Sequence, residues 1–172
     1  MKQKLLFLLA LLCAVAQGAW AQNVVNLSTL TSDYVAQNGD VLTGTLETNG
    51  KNAIKMSIAE DAQITLRNAN ILYGYDADLL GLKCEGNATI WLEGDNKIVA
   101  SPGACCIQAG PVGTKLTIKG TGSLYATAAG STPSESEPSS CGNITISGGN
   151  VTATGGKYAA GKGPCPHGAR GA

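Results

Sequence analysis

The sequence repeats one short phrase four times. Each copy alternates aliphatic residues with other residues and ends on a turn former, and the copies begin at Ile64, Ile90, Leu116 and Ile144. The first residues are 26, 26 and 28 positions apart. Self-similarity at a period of roughly 20 to 50 residues is typical of solenoids and repeat arrays.

Within each copy the apolar residues recur at every second position, which indicates a β-strand. Asn and Gly at fixed offsets after the strands favour the left-handed backbone of tight corners. No segment beyond residue 21 carries a convincing run of apolar residues at helical spacing. We therefore predict an all-β chain that stacks about five coils into a parallel β-helix, in which neighbouring coils bury their apolar sides together.

Aligning the copies by their first residues predicts which side chains stack. Two inward columns are expected: Ile64, Ile90, Leu116 and Ile144, and beside it Leu66, Leu92, Ile118 and Ile146. Two outward columns are expected as well: Thr65, Trp91, Thr117 and Thr145, and Arg67, Glu93, Lys119 and Ser147.

The N-terminus carries a targeting pattern. Lys2 and Lys4 precede an apolar run that ends before the small-x-small sequence Ala19-Trp20-Ala21. This is typical of a secretory signal peptide. We predict a signal peptide at 1–21, one β-helix domain at 22–161, and an irregular tail at 162–172 that is disordered or truncated. The protein would be secreted, to the periplasm, the cell surface or the medium, with no membrane span.

Charge argues against a nucleic-acid partner. Residues 22–156 contain seven Lys or Arg and twelve Asp or Glu, a net charge of about −5. Nucleic-acid-binding domains carry a basic patch instead.

Cysteine usage leaves two interpretations open. After Cys13, five cysteines follow: Cys84, Cys105, Cys106, Cys141 and Cys165. A secreted location permits disulfides, but the number is odd. Buried thiols acting as small apolar residues are the other interpretation.

Catalytic residues are scarce. The single histidine, His167, lies in the tail, so a Ser-His-Asp or Cys-His system has no base. Glu93 and Asp95 could form a carboxylate pair, but both fit turn or solvent positions. We predict that the protein is not an enzyme; a polysaccharide lyase stays as an alternative.

Three aromatic residues and two acids are candidate binding residues. Trp91 points outward by alternation and could stack on a sugar ring, and Tyr73 and Tyr125 could lie on neighbouring coils. Asp76 and Asp78 could bind Ca²⁺, which prefers oxygen ligands. Solvated loop acids and a packed Trp91 are the alternatives.

Several phrases resemble a known family. Asn38-Gly39-Asp40-Val41-Leu42-Thr43-Gly44-Thr45-Leu46, Ile107-Gln108-Ala109-Gly110-Pro111 and the segment 142–156 are similar to secreted bacterial right-handed parallel β-helix proteins labelled carbohydrate-binding domain-containing. The resemblance covers residues 24–161. It implies a right-handed helix and a polysaccharide partner, with acidic plant-type glycans and calcium as one form of it.

These observations favour a secreted, non-catalytic β-helix that binds carbohydrate by aromatic stacking and polar ladders on its outer face. A structural or adhesive cell-surface protein, whose partner is a protein or host matrix, is the alternative from a different class.

Overall fold

The structure is a computed structural model that describes residues 22–48, 50, 53–74, 79–101, 104–128 and 143–154. These residues form an all-β fold with a single 3-10 turn at Leu27–Thr29. The strands are β1 (Asn23–Asn26), β2 (Tyr34–Ala36), β3 (Asp40–Thr48), β4 (Met56–Ile58), β5 (Ala62–Tyr73), β6 (Leu82–Cys84), β7 (Ala88–Glu93), β8 (Asp95–Ala100), β9 (Ile107–Gln108), β10 (Lys115–Gly120), β11 (Ser123–Ala128), β12 (Asn143–Ile146) and β13 (Asn150–Thr154).

Among the residues that the structure describes, every pairing between strands is parallel, and the strands form two sheets. The larger sheet has nine strands in the order β12-β10-β7-β5-β8-β11-β13, with β3 beside β5 and β1 beside β3. The smaller sheet has four strands in the order β2-β4-β6-β9. The result is a parallel β-solenoid of about four turns. The predicted solenoid is thus confirmed, with about four turns in place of about five coils.

The 12-residue strand β5 bends at Asn68, whose φ of 50° lies in the left-handed region. The bend divides the larger sheet into two halves. The first half consists of β5 up to Arg67 with β7, β10 and β12, and the second half consists of β5 from Asn70 with β8, β11 and β13. A complete turn therefore uses one strand of the smaller sheet and one strand of each half.

The inward side chains form one continuous apolar core. Ile64, Ile90 and Ile118 are at most 2 % exposed, and so are Leu66 and Leu92. Full burial of such a side chain stabilises the fold by about 1.5–3 kcal/mol. Because each coil covers the apolar side of the next, this energy is available only to the stack.

The predicted alignment of inward residues is confirmed between β5 and β7 and between β10 and β12, and it is wrong between β7 and β10. Ile64 lies opposite Ile90, and Leu116 lies opposite Ile144, as predicted. Between β7 and β10, however, Ile90 lies opposite Ile118 and not opposite Leu116. A strand's side chains alternate with period two, so a shift by two residues keeps every apolar side chain inward and leaves no trace in the pattern.

The corner between the two halves is fixed by a buried asparagine. Asn96 is 3 % exposed, and its Oδ1 accepts a hydrogen bond from the Ala69 N–H at 2.9 Å. Its Nδ2 donates to the carbonyl of Ser123 at 3.0 Å. One side chain therefore ties together three consecutive coils, which holds the outer faces of these coils in a fixed relation.

The described cysteines include both buried free thiols and a disulfide-bonded residue, so each of the two interpretations applies to some of them. Cys84 and Cys106 are buried free thiols, while Cys105 is disulfide-bonded. Burial raises the pKa of Cys84 to about 12 and that of Cys106 to about 11.

Some predictions concern other parts of the chain. Residues 1–21, the tail 162–172, and Asp76 and Asp78 lie outside the described residues. Within the described ranges, the structure has no helix of the length and apolar character needed to cross a bilayer.

Candidate functional site

The three aromatic candidates occupy different environments. Trp91 is 41 % exposed on the outer side of β7, between the buried Ile90 and Leu92, as alternation predicts. Tyr125, on β11, is 43 % exposed.

Tyr73 lies inside the solenoid. It is 4 % exposed, and its hydroxyl donates a hydrogen bond to the Ile54 carbonyl at 2.8 Å. Burial is the main reason that the pKa of Tyr73 rises to about 12. The expectation that Tyr73 stacks on a surface ligand is therefore wrong in this structure, because neither face of its ring reaches solvent. The ring fills the core, and the hydroxyl meets its hydrogen-bonding requirement there.

Trp91 and Tyr125 lie on different halves of the larger sheet. Trp91 is the register partner of Thr65, before the bend, whereas Tyr125 and Asn70 both pair with Lys97, after the bend. The two aromatic side chains consequently belong to two separate surfaces.

A lysine covers the Trp91 ring. The Nζ atom of Lys119 lies 4.1 Å from the ring centroid, and the two residues are register partners in β10 and β7. An ammonium group over an indole is attracted by the ring quadrupole. The outward column is thus Thr65, Trp91 and Lys119, in place of the predicted Thr65, Trp91 and Thr117.

The neighbouring outward column is polar along its whole length. Gln63 lies opposite Thr89, Thr89 opposite Thr117, and Thr117 opposite Thr145. We call these four residues the polar column. Thr89 precedes Trp91 by two positions on β7, so the polar column and the indole share one face.

A groove of about 250 Å³ runs along this face. We call it the polar groove; its lining consists of Asp61, Ala62, Gln63, Asn87, Ala88, Thr89, Lys115 and Thr117. Three members of the polar column therefore line it directly.

Hydrogen bonds between coils hold one rim of the polar groove. Asn87 donates through Nδ2 to Oδ1 of Asp61 at 3.0 Å and accepts through Oδ1 from the Lys115 N–H at 3.0 Å. In the coil before, Oδ1 of Asn38 accepts from the Gln63 N–H at 2.9 Å. These hydrogen bonds fix the rim within the protein itself, and a preformed rim of this kind would lower the entropy cost of binding a ligand.

The polar column keeps its hydrogen-bonding capacity free. Within the described ranges, the side chains of Gln63, Thr89, Thr117 and Thr145 have no hydrogen-bond partner in the protein. Nearby outward groups are paired instead, as in the ion pair of Arg67 with Glu93 at 2.6 Å.

Two carboxylates near this face already have partners within the protein. Glu93 pairs with Arg67 at 2.6 Å, and Oδ1 of Asp95 accepts from the Ser123 hydroxyl at 2.7 Å. In the part of the chain that the structure describes, no group of three or more His, Cys, Asp or Glu side chains could hold a metal ion. The calcium site predicted at Asp76 and Asp78 falls outside that part.

A second groove, of about 470 Å³, lies on the outer side of the smaller sheet. It is lined in part by Lys83 and Glu85, which pair with each other at 2.9 Å, and by Tyr34. The Tyr34 hydroxyl already donates to Oδ2 of Asp40 at 2.7 Å. The polar groove is the better candidate because more of its polar groups are free.

No protein-family model matches this sequence, and no match was found among the curated proteins or the solved structures. The candidate site therefore depends on its own geometry. Sequence reasoning identified Trp91 but missed Lys119 as its neighbour and missed the polar groove. The outward threonines indicated a polar surface on these strands. The sequence did not indicate the register between β7 and β10, which is needed to align the threonines into one column.

Proposed function

We propose that this protein is a secreted, non-catalytic, right-handed parallel β-helix that binds carbohydrate on the outer side of the first half of its larger sheet. The observation that carries the proposal is Trp91, 41 % exposed on the same face as the polar column, whose side chains have no hydrogen-bond partner among the described residues. An indole face stacks on the apolar face of a sugar, while hydroxyl and amide groups serve the sugar hydroxyls. Tyr125 offers a separate, secondary stacking surface.

The position of Lys119 adds a condition for binding. A sugar that stacks on the covered ring face must displace the ammonium group, whose long side chain can then donate hydrogen bonds to sugar hydroxyls. A cation–π contact at an exposed site contributes only about 0.5–1 kcal/mol. Displacing the Lys119 ammonium group therefore costs much less than a binding free energy of several kcal/mol.

Secretion is supported by chemistry as well as by the N-terminal pattern. Cys105 is disulfide-bonded, and structural disulfides persist mainly in oxidising compartments. Removal of a signal peptide predicts a mature chain that begins near Gln22, which intact-mass measurement on the exported protein would detect. Recovery of the whole chain from the cytoplasm with reduced Cys105 would contradict this part of the proposal.

A glycan array tests the binding itself. The purified chain is applied with and without Ca²⁺, beside the Trp91→Ala and Tyr125→Ala variants, after circular dichroism has shown that all three are folded. We expect binding to a defined polysaccharide class that Trp91→Ala abolishes and Tyr125→Ala reduces weakly or not at all. Loss with Tyr125→Ala alone would move the site to the second half of the sheet.

Two results would favour the other functional classes. A folded sample that binds no glycan would favour a structural or adhesive role, in which the partner is a protein or host matrix. New ultraviolet absorbance on incubation with uronate polymers would indicate a polysaccharide lyase. We expect no absorbance change, because the acids beside Trp91 are held by Arg67 and Ser123.

A further inference from the structure

The four side chains of the polar column are spaced by the solenoid itself. Each belongs to a different coil, and parallel neighbours in a sheet lie ~4.8 Å apart. This repeat is close to the length of one sugar residue in an extended glycan chain. We propose that Gln63, Thr89, Thr117 and Thr145 form a row of subsites, one per coil, for a linear neutral glycan that lies parallel to the solenoid axis.

This inference rests on the proposed function and adds the direction, length and charge class of the ligand. The direction follows from where free polar groups lie. Along a strand the outward residues change character, from Thr89 to Trp91 to Glu93 on β7. Across the strands the polar column continues without a change of character through four coils.

The chemistry of the column suits hydroxyl groups. A threonine hydroxyl donates one hydrogen bond and accepts two, and the Gln63 amide can do both. Sugar hydroxyls have the same dual capacity, so each coil can serve one sugar residue whichever way its hydroxyl points. Trp91, two positions from Thr89 on β7, borders the row on one side, where its indole can contact a sugar bound to the row.

The charges around the row favour a neutral ligand. Asp61 and Lys115, which both line the polar groove, carry opposite charges, and Arg67 is neutralised by Glu93 at 2.6 Å. Lys119 is engaged over the Trp91 ring. Lys119 is the one charge in this set without an opposite charge to balance it. An acidic polymer would require a free cation at each coil and a basic polymer a free acid at each coil, and a single lysine does not supply such a series.

The test uses the exported protein, whose proposed mature chain begins near Gln22 and has Trp91 as its only tryptophan, because the other one, Trp20, precedes that position. Neutral β-1,4-linked oligosaccharides of increasing length are titrated, with Trp91 fluorescence and calorimetry as readouts. We expect the Kd to fall with each added sugar up to about four residues, the number of coils in the row, and then to level off.

The variants Thr89→Val and Thr117→Val remove one hydroxyl each and keep the side-chain shape. Each should raise the Kd by about 3- to 10-fold, the value of one net hydrogen bond. Thr127→Val, on the second half of the sheet, is the matched control and should leave the Kd unchanged. Thermal melts establish that the three variants are equally folded.

The outcomes separate the two proposals. A length-independent Kd, or Thr→Val variants that bind like the parent while Trp91→Ala does not bind by calorimetry, would overturn the row of subsites and leave carbohydrate binding in place. Binding only of uronic-acid oligomers would overturn the neutral class. Failure of all oligosaccharides and of the glycan array would overturn both.

Discussion

The ammonium nitrogen of Lys119 lies 4.1 Å from the centroid of the Trp91 ring, although the two residues are 28 positions apart in the sequence. The contact exists because β10 pairs with β7 in a register that places Lys119 directly opposite Trp91. It determines how much of the indole is covered by the protein's own lysine.

Replacing Lys119 with Ala should uncover the indole. The variant removes both the charge and the side chain that lies over the ring, so the cation–π contribution of about 0.5–1 kcal/mol is lost from the free energy of unfolding. In the chain from Gln22 onward, whose only tryptophan is Trp91, quenching of its fluorescence by acrylamide should increase. Lys97→Ala, opposite Tyr125, is the control and should not change the quenching. Identical quenching in both variants would mean that Lys119 does not cover the ring.

Asn96 should matter far more than Asn70. Asn96→Ala leaves the buried Ala69 N–H without its partner, at roughly 1–3 kcal/mol, and also removes the donor to the half-buried Ser123 carbonyl. Asn70 is half-buried and only donates to the Thr45 hydroxyl at 3.2 Å, so Asn70→Ala should cost less than about 1 kcal/mol. Urea unfolding of both variants measures the difference. Equal losses would show that the corner does not depend on Asn96.

Alanine substitutions at Gly120 and Gly39 distinguish the cost of backbone strain from the cost of a steric clash. Both have positive φ, 121° and 90°. A Cβ at Gly120 would meet the backbone of Leu92, with its nitrogen at 2.6 Å, whereas a Cβ at Gly39 meets nothing within 4 Å. Gly39→Ala should therefore cost about 1–2 kcal/mol of strain, and Gly120→Ala clearly more. Similar unfolding midpoints for the two variants would contradict the close approach of β10 to β7.

The thiols of Cys84 and Cys106 should resist labelling in the folded protein. Both are buried, and desolvation raises their pKa to about 12 and about 11, so the reactive thiolate is rare at pH 8. Iodoacetamide followed by peptide mass spectrometry should modify neither residue until the chain is unfolded. Cys105 should need a reductant in addition, because it is disulfide-bonded. Rapid labelling of Cys84 in the native state would refute its burial.

Two tyrosines should make stability fall at alkaline pH. Desolvation is the main reason that the pKa of Tyr34 and that of Tyr73 rise from 10.0 to about 12. A raised folded-state pKa means that the full stability is present below pH 10 and is lost as the pH rises towards 12. Urea unfolding at several pH values should show this decline.

The comparison variants identify which groups cause the decline. Tyr34→Phe and Tyr73→Phe should each be less stable at pH 7, since each loses a hydrogen bond, and should show a shallower alkaline loss. The buried thiols act in the same direction above pH 9, so only the difference from the parent measures the tyrosines. An unchanged slope in the double variant would rule out both residues as the source.

Much of the fold could be predicted from the strand phrases alone. The alternation at Ile64, Leu66, Ile90 and Leu92 selects strands and their inward sides, and all four residues are buried as expected. The same alternation placed Trp91 outward correctly. Tyr73 obeys the same rule, because it lies two positions after the buried Ile71 on β5 and is itself buried. Its inward position could therefore have been predicted by continuing the alternation from Ile71.

The register between β7 and β10 was decided by loop length in the folded structure. Leu82 and Ala88 are six positions apart, whereas their partners Ile107 and Leu116 are nine apart, a difference of three residues. The extra residues form the turn in which Thr114 N–H donates to the Pro111 carbonyl. The alternation within the strands does not indicate in which loop the extra residues lie, so it cannot predict this register.

By itself, the sequence determined that this chain forms a parallel β-solenoid with an aliphatic interior and an outward tryptophan, because burial of every second side chain is a local property of each strand. Only the tertiary structure decided which residues meet on the outside. A slip of two residues costs no apolar burial, so the contact of Trp91 with Lys119 and the alignment of Thr89 with Thr117 depend on corners and loops that pack between coils.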